Sequence, residues 1–193
     1  MPEESGLNYS RRKGLKMRIK KLTKWVMLAV IVSGTAFAQP DFEIPDNAKK
    51  TRARVAMMGD IIVVETKDGL DEVWTACAQA PRLKPTGSHE YMAVQARNFT
   101  RREVEGWQVW LEYEGSPKKP RRTYRGRLIA YVYYVKEEGE KKEVKTYLLN
   151  AELIKRGLAK VDTNYPCGKR SAMYRLQLQA RRNQRGIWSV SPR

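Results

Sequence analysis

The stretch Arg121-Arg-Thr-Tyr-Arg-Gly-Arg-Leu-Ile-Ala-Tyr-Val-Tyr-Tyr-Val135 decides the fold. Its second half, Leu128 to Val135, is β-branched, aromatic and apolar, the composition of a strand buried in a sheet or barrel. Its first half is a basic loop carrying Arg121, Arg122, Arg125 and Arg127, with Gly126 where the backbone needs a positive φ or a close approach. Taken alone, the stretch reads first as a solvated basic turn before an ordinary strand. The sharper reading is a guanidinium delivered to a fixed place on a rigid scaffold, which suits a phosphate because guanidinium forks match phosphate oxygens bidentately.

Around this stretch the chain divides unevenly. Of its 193 residues, the first 38 read as an N-terminal extension and a secretory signal. Met17-Arg-Ile-Lys-Lys-Leu-Thr-Lys24 is a basic n-region, Trp25 to Val32 an apolar h-region, and Ala36-Phe37-Ala38 a cleavage site before Gln39. The apolar run falls short of the roughly 20 residues that span a bilayer, so cleavage is expected rather than anchoring. Met17 is the expected start of translation. An exported protein, periplasmic or extracellular and without a membrane span after cleavage, follows. Residues 39–51 read as a linker and 52–190 as the folded domain.

The chain carries 38 Lys+Arg and 21 Asp+Glu, for a net charge of +17. Loss of residues 1–38 removes 8 basic and 2 acidic side chains and leaves about +11. Such a surface attracts nucleic acid, acidic polysaccharide or anionic lipid without choosing among them. Cys77 and Cys167 are the two cysteines, and in an exported protein a pair reads first as a disulfide, the alternative being two free buried thiols. His89 is the one histidine and lies in a polar stretch, so a histidine-based metal site is not expected.

In chain order, strands are expected over Arg52–Met58, Asp60–Thr66 and Glu72–Gln79. A helix follows within His89–Glu105, N-capped by Ser88, and then strands at Trp107–Tyr113, Leu128–Val135 and Glu143–Tyr147. Helices are expected over Leu148–Leu158 and Ser171–Gln184. Trp107, Trp110, Tyr131 and Tyr133 alternate along strands and read as core and rim packing. The order is thus three strands, a helix, two or three strands and two helices. Five short barrel strands with a helix between the third and fourth predict an α+β, mostly β chain built on a small closed barrel of OB type with about three helices.

Gly126-Arg127-Leu128-Ile129-Ala130-Tyr131-Val132 resembles the signature of the staphylococcal nuclease-like (thermonuclease) domain. Asn150 followed by Leu153-Ile-Lys-Arg-Gly-Leu-Ala159 resembles that family's second helix, and Ala180 with Gly186-Ile-Trp188 its C-terminal helix and closing tryptophan. The resemblance implies an OB-fold barrel that hydrolyses DNA and RNA with calcium, two acidic residues holding the metal, a glutamate base and two phosphate-binding arginines. It places a metal aspartate at Asp60, after Gly59, and a phosphate-binding arginine at Arg127. Anchored on Pro81, however, it puts Trp74 where the other arginine belongs, Gln79 for the second metal aspartate and Arg82 for the general base.

Calcium needs six to eight oxygen ligands, and an arginine, with a pKa above about 12, cannot serve as a base. Hydrolysis by the family mechanism is therefore not expected, and calcium is not expected to bind. The expected function is an exported, catalytically degenerate module binding nucleic acid or another polyanion through a basic groove edged by Lys118, Lys119, Arg121, Arg122, Arg125 and Arg127. Tyr165 is its expected stacking residue; the family's other stacking position is Thr163 here. A Cys77–Cys167 bond would tie down the rim of that groove. The alternatives are an active exported endonuclease with unusual metal ligands (Glu65, Asp68, Asp71 or Glu72), or a cell-envelope protein-interaction module. A monomer is expected.

Overall fold

The structure, a computed structural model, describes residues 42–189; the leader and the proposed cleavage site lie outside the described residues. The strands are β1 (Lys49–Ala56), β2 (Ile61–Thr66), β3 (Gly69–Thr75), β4 (Ala78–Gln79), β5 (Gln108–Tyr113), β6 (Gly115–Ser116), β7 (Lys119–Pro120), β8 (Leu128–Glu138), β9 (Glu143–Leu148) and β10 (Lys160–Val161). The helices are α1 (Ala93–Val104), α2 (Leu149–Lys155) and α3 (Arg170–Arg182), with a final 3-10 turn at Gly186–Trp188. The main sheet runs β3-β2-β1-β5-β8-β9, and β3 also pairs with β8, so five strands close a barrel and β9 extends it. This is the expected OB-type barrel with three helices, α1 inserted between the third and fourth barrel strands.

The closure depends on β8. One edge of this strand pairs antiparallel with β5, while the other pairs first with β3 in parallel (Val73↔Leu128 to Thr75↔Ala130) and then with β9. A strand flanked on both edges and both faces must be apolar throughout. Every residue from Leu128 to Tyr134 is accordingly buried. Gly126, with φ +82° and open space around its Cα, serves the turn rather than a close approach.

Asn150, at the start of α2, locks the closure. Its Oδ1 accepts from the Val132 amide at 2.9 Å, and its Nδ2 donates to the Ala76 carbonyl at 2.8 Å and the Ala130 carbonyl at 3.2 Å. One fully buried amide thus joins α2, β8 and the turn after β3. The described core cluster is drawn from Ala53 to Leu176, with Phe42 and Ile44 packed against it.

Several local boundaries depart from the sequence expectations: β3 starts early at Gly69, β8 runs on to Glu138 and α2 ends at Lys155, and three further departures have a visible cause or partner. The first helix begins at Ala93, not after Ser88: its N-cap is Met92 at φ 67°, with no side-chain cap. The preceding residues are committed to Arg82, whose amide donates to Glu90 Oε2 at 2.8 Å and whose carbonyl accepts from the Glu90 amide at 3.0 Å. The third strand stops at Thr75, because Cys77 turns left-handed at φ 65° before β4 restarts against β10. The first strand starts three residues early, at Lys49, paired with Leu111 of β5.

Asn150→Ala would leave the buried Val132 N–H and the Ala76 carbonyl without the partners Asn150 gives them, while the Ala130 carbonyl would keep the Ala76 amide at 2.8 Å. Each orphaned buried group costs about 1–3 kcal/mol. The variant is expected to lose about 3 kcal/mol or more of unfolding free energy in urea denaturation.

Candidate nucleic-acid interface

Asp60 follows Gly59 in the turn between β1 and β2. A side chain at Gly59 would meet the Cβ atoms of Ala96 at 2.7 Å and Ala80 at 2.8 Å, so the turn needs glycine for α1 and the β4 segment to close over it. The Gly59 carbonyl accepts from the Thr100 hydroxyl at 2.6 Å. Asp60 itself is fully buried.

Its carboxylate is wholly committed. Oδ1 accepts from Arg82 Nη1 at 2.8 Å; Oδ2 accepts from Arg82 Nη2 at 2.8 Å and from the Ala80 amide at 3.1 Å. The Arg82 guanidinium lies over the Trp74 ring at 4.6 Å. Trp74 in turn meets Tyr165, ring centres 5.9 Å apart at 59°. Burial pushes the Asp60 carboxyl above its ordinary range, and the charge and hydrogen bonds of Arg82, with the Ala80 amide, pull it back. The three residues that depart from the family pattern therefore do not scatter. Arg82 and Trp74 form one stack on the Asp60 carboxylate, and Gln79 sits in β4, paired with Lys160.

Calcium does not fit this arrangement. The ion needs six to eight oxygens, usually several from carboxylates. Both Asp60 oxygens already face a guanidinium fork, and the nearby Glu90 carboxylate accepts from the Arg82 amide. The other acidic candidates are engaged elsewhere. Glu65 pairs with Arg54, Asp71 with Arg122 and Glu72 with Arg127. Asp68 lies in the exposed turn between β2 and β3. Among the described residues no group of three or more His, Cys, Asp or Glu could hold a metal ion.

The basic loop divides into fixed and free cations. Arg122 forks onto Asp71 at 3.1 and 2.7 Å, and Arg127 Nε donates to Glu72. The parallel β3–β8 register explains both, since Val73↔Leu128 sets Glu72 and Asp71 beside the loop. The Arg127 side chain is 16% exposed, and neither of its terminal nitrogens has a bonding partner among the described residues. Lys118, Lys119, Arg121 and Arg125 are exposed without carboxylate partners among the described residues. Arg125 lies over Tyr124, 5.4 Å from its ring centre. Tyr124, 83% exposed, is the most open aromatic at this edge and was not singled out from the sequence, although its Arg-Thr-Tyr-Arg setting carried the signal.

Cys77 and Cys167 are bonded, their Cα atoms 5.2 Å apart. The bond fixes the segment carrying Tyr165 to the turn after β3. Tyr131, Glu112, Glu114 and Lys169 add to the tie. The Lys169 amide donates to Tyr131 Oη at 3.0 Å, the Gly168 amide to Glu114 Oε1 at 3.0 Å, and Lys169 Nζ to Glu112 Oε1 at 3.1 Å. Burial and the neighbouring carboxylates raise the Tyr131 phenol far above its ordinary value, so it stays a neutral hydrogen-bonding group. Thr163 is exposed and contributes no ring.

The family described as staphylococcal nuclease homologue matches residues 75–190. The chain belongs to that family. Thermonuclease from Staphylococcus intermedius is 28% identical over 181 residues, covering 88% of this chain and 99% of that protein. The family match takes in Gln79, Arg82, Arg127 and Tyr165 and begins just after Trp74; Asp60 lies ahead of it.

Arg82→Leu would leave a buried carboxylate without its counter-charge, which costs about 3–5 kcal/mol. Asp60 would then titrate higher still. A group whose folded pKa is raised stabilises the fold below its unfolded pKa of about 3.9 and loses that contribution as pH rises through the folded value. The deficit of Arg82→Leu relative to the natural chain is therefore expected to be largest near neutrality and to shrink toward pH 4. Adding Asp60→Asn should recover part of it at pH 7. Denaturant unfolding across pH checks both.

Proposed function

We propose that this chain is an exported member of the staphylococcal nuclease homologue family that binds nucleic acid through its basic groove without metal-dependent hydrolysis. The observation that carries the reading is the fork of Arg82 onto Asp60. A cation belonging to the chain satisfies the carboxylate that would otherwise face a divalent ion. The residue in the general-base position is that same arginine, held at both terminal nitrogens and permanently protonated. Losing the base and one of two phosphate arginines removes two separate contributions to transition-state stabilisation.

Binding draws on other residues. Arg127 keeps its terminal nitrogens for phosphate oxygens while Glu72 orients it through Nε. Lys118, Lys119, Arg121 and Arg125 supply positive charge along the same edge, and Tyr165 offers a ring for a base, at about 1–3 kcal/mol per stacked base. Export is supported by the leader's n-region, h-region and Ala36-Phe-Ala38 site, and it accords with a disulfide. Among the described residues no helix is long and apolar enough to cross a membrane.

The test is made on the chain from Gln39, which forms a compact unit of its own. Single-stranded DNA incubated with protein and calcium is expected to remain uncut. Fluorescence anisotropy with a labelled oligothymidylate is expected to show binding that weakens steeply with salt. Arg127→Ala and the paired change Lys118→Glu/Lys119→Glu should each weaken it further. Calcium-dependent cleavage would overturn the loss of hydrolysis, and no binding at low salt would overturn the nucleic-acid reading.

A further inference from the structure

The segment Lys169–Arg185 carries Lys169, Arg170, Arg175, Arg181, Arg182 and Arg185, and no Asp or Glu. Several arginines elsewhere are neutralised, Arg54 by Glu65, Arg101 by Glu105, Arg122 by Asp71 and Arg156 by Glu152, whereas Arg121 and Arg125 of the basic loop have no carboxylate partner among the described residues. Arg175 and Arg182 are exposed and have no such partner among the described residues. Arg181 and Arg182 suit the C-terminal end of the helix, but the charge at its N-terminal end does not favour it. Lys169 and Arg170 stand at the N-terminal end of α3, where the helix dipole favours anions, and no acidic residue occupies the first turn.

At about 100° per residue, Tyr174, Arg175, Leu178 and Arg182 fall on one face roughly 100° wide. That face is opposite the buried Met173, Leu176 and Ala180. The helix also begins beside both Tyr165 and the Glu114 segment that holds Arg121. Arg170 Nη2 donates to the Tyr165 carbonyl at 3.3 Å, and the Tyr165 ring lies against Trp74. The Gly168 amide donates to Glu114, whose own carbonyl accepts from the Arg121 amide at 3.1 Å.

We propose that a single-stranded nucleic acid held in the groove leaves it along the outer face of α3. Arg175 and Arg182 contact successive parts of its phosphate backbone, and the ligand is a polymer longer than the groove itself. The inference rests on the groove reading above. A strand rather than a lipid surface is favoured by the continuity from Tyr165 through Arg170 into the helix. The apolar content of the face is only Leu178 and Tyr174, 50% and 38% exposed.

The test is the length and salt dependence of oligothymidylate binding to the chain from Gln39, with strands of about 4, 8 and 16 nucleotides, the range one OB fold covers. Affinity is expected to rise through the longest strand. Each neutralised phosphate contributes a slope of about 0.7 in log K against log salt for single strands. Arg175→Gln/Arg182→Gln should therefore reduce the 16-mer slope by about 1.4 and leave the 4-mer unchanged. Lys141→Gln/Lys142→Gln, the same charge removed from the exposed β8–β9 hairpin, should leave both slopes as they were.

If the 4-mer binds but the 16-mer binds no tighter, or if its slope survives loss of the two arginines, the α3 path is wrong while the groove stands. If no strand of any length binds, both fail. If the double variant instead loses only its adsorption to phosphatidylglycerol vesicles, the face belongs to a lipid surface and the proposal is overturned.

Discussion

A carboxylate with no exposure to water must be answered by the chain around it, and Asp60 sets that requirement here. An unpaired buried charge costs several kcal/mol, more than a third of the stability of many domains. Arg82 meets it with a two-pronged fork, the Ala80 amide adds a third bond, and the Trp74 ring lies against the guanidinium. These contacts hold the β4 segment across the turn at Gly59. Through Trp74 they reach Tyr165, and the disulfide fixes the segment that carries it. The geometry that would position a metal in a nuclease of this fold is here spent on an internal ion pair. On our reading the groove keeps its shape and loses its chemistry.

The same logic separates the protein's other cations. Arg122 and Arg127 are oriented by carboxylates of β3, so their positions are set before any ligand arrives. Such pre-positioning lowers the ordering cost of contacting a phosphate. Lys118, Lys119, Arg121 and Arg125 are long, solvated side chains that contribute to attraction at a distance more than to geometry. In the proposed function the first group gives placement and the second gives the salt dependence.

Much of the fold was legible in the sequence because it depends on local composition. The apolar, β-branched and aromatic run Leu128–Val135 has the composition of a strand buried in a sheet or barrel, and the order of strands and helices then pointed to a small closed barrel. The start of α1 was not legible. Ser88 is a good cap by type, but the residues after it bond to Arg82, and the helix begins from a left-handed Met92. The break at Cys77 was hidden for a similar reason, since the left-handed turn there serves the disulfide and β4 rather than any preference of cysteine. At the site, motif position alone located Asp60, Arg82, Trp74 and Arg127. What it could not give was their pairing, because Glu72 meets Arg127 only through the parallel closure of β3 on β8, 55 residues apart in the chain.

The central claim, that Arg82 stands in for a metal at Asp60, is tested most directly by thermal unfolding of the chain from Gln39 with and without calcium. A ligand that binds only the folded state stabilises it by RT ln(1 + [L]/Kd), so about 10 mM calcium would reveal even a site with a Kd near 10⁻⁴ M. The midpoint is expected to stay where it is. A rise of about 5 °C or more, the size that such a site would give in a domain of this length, would contradict the account.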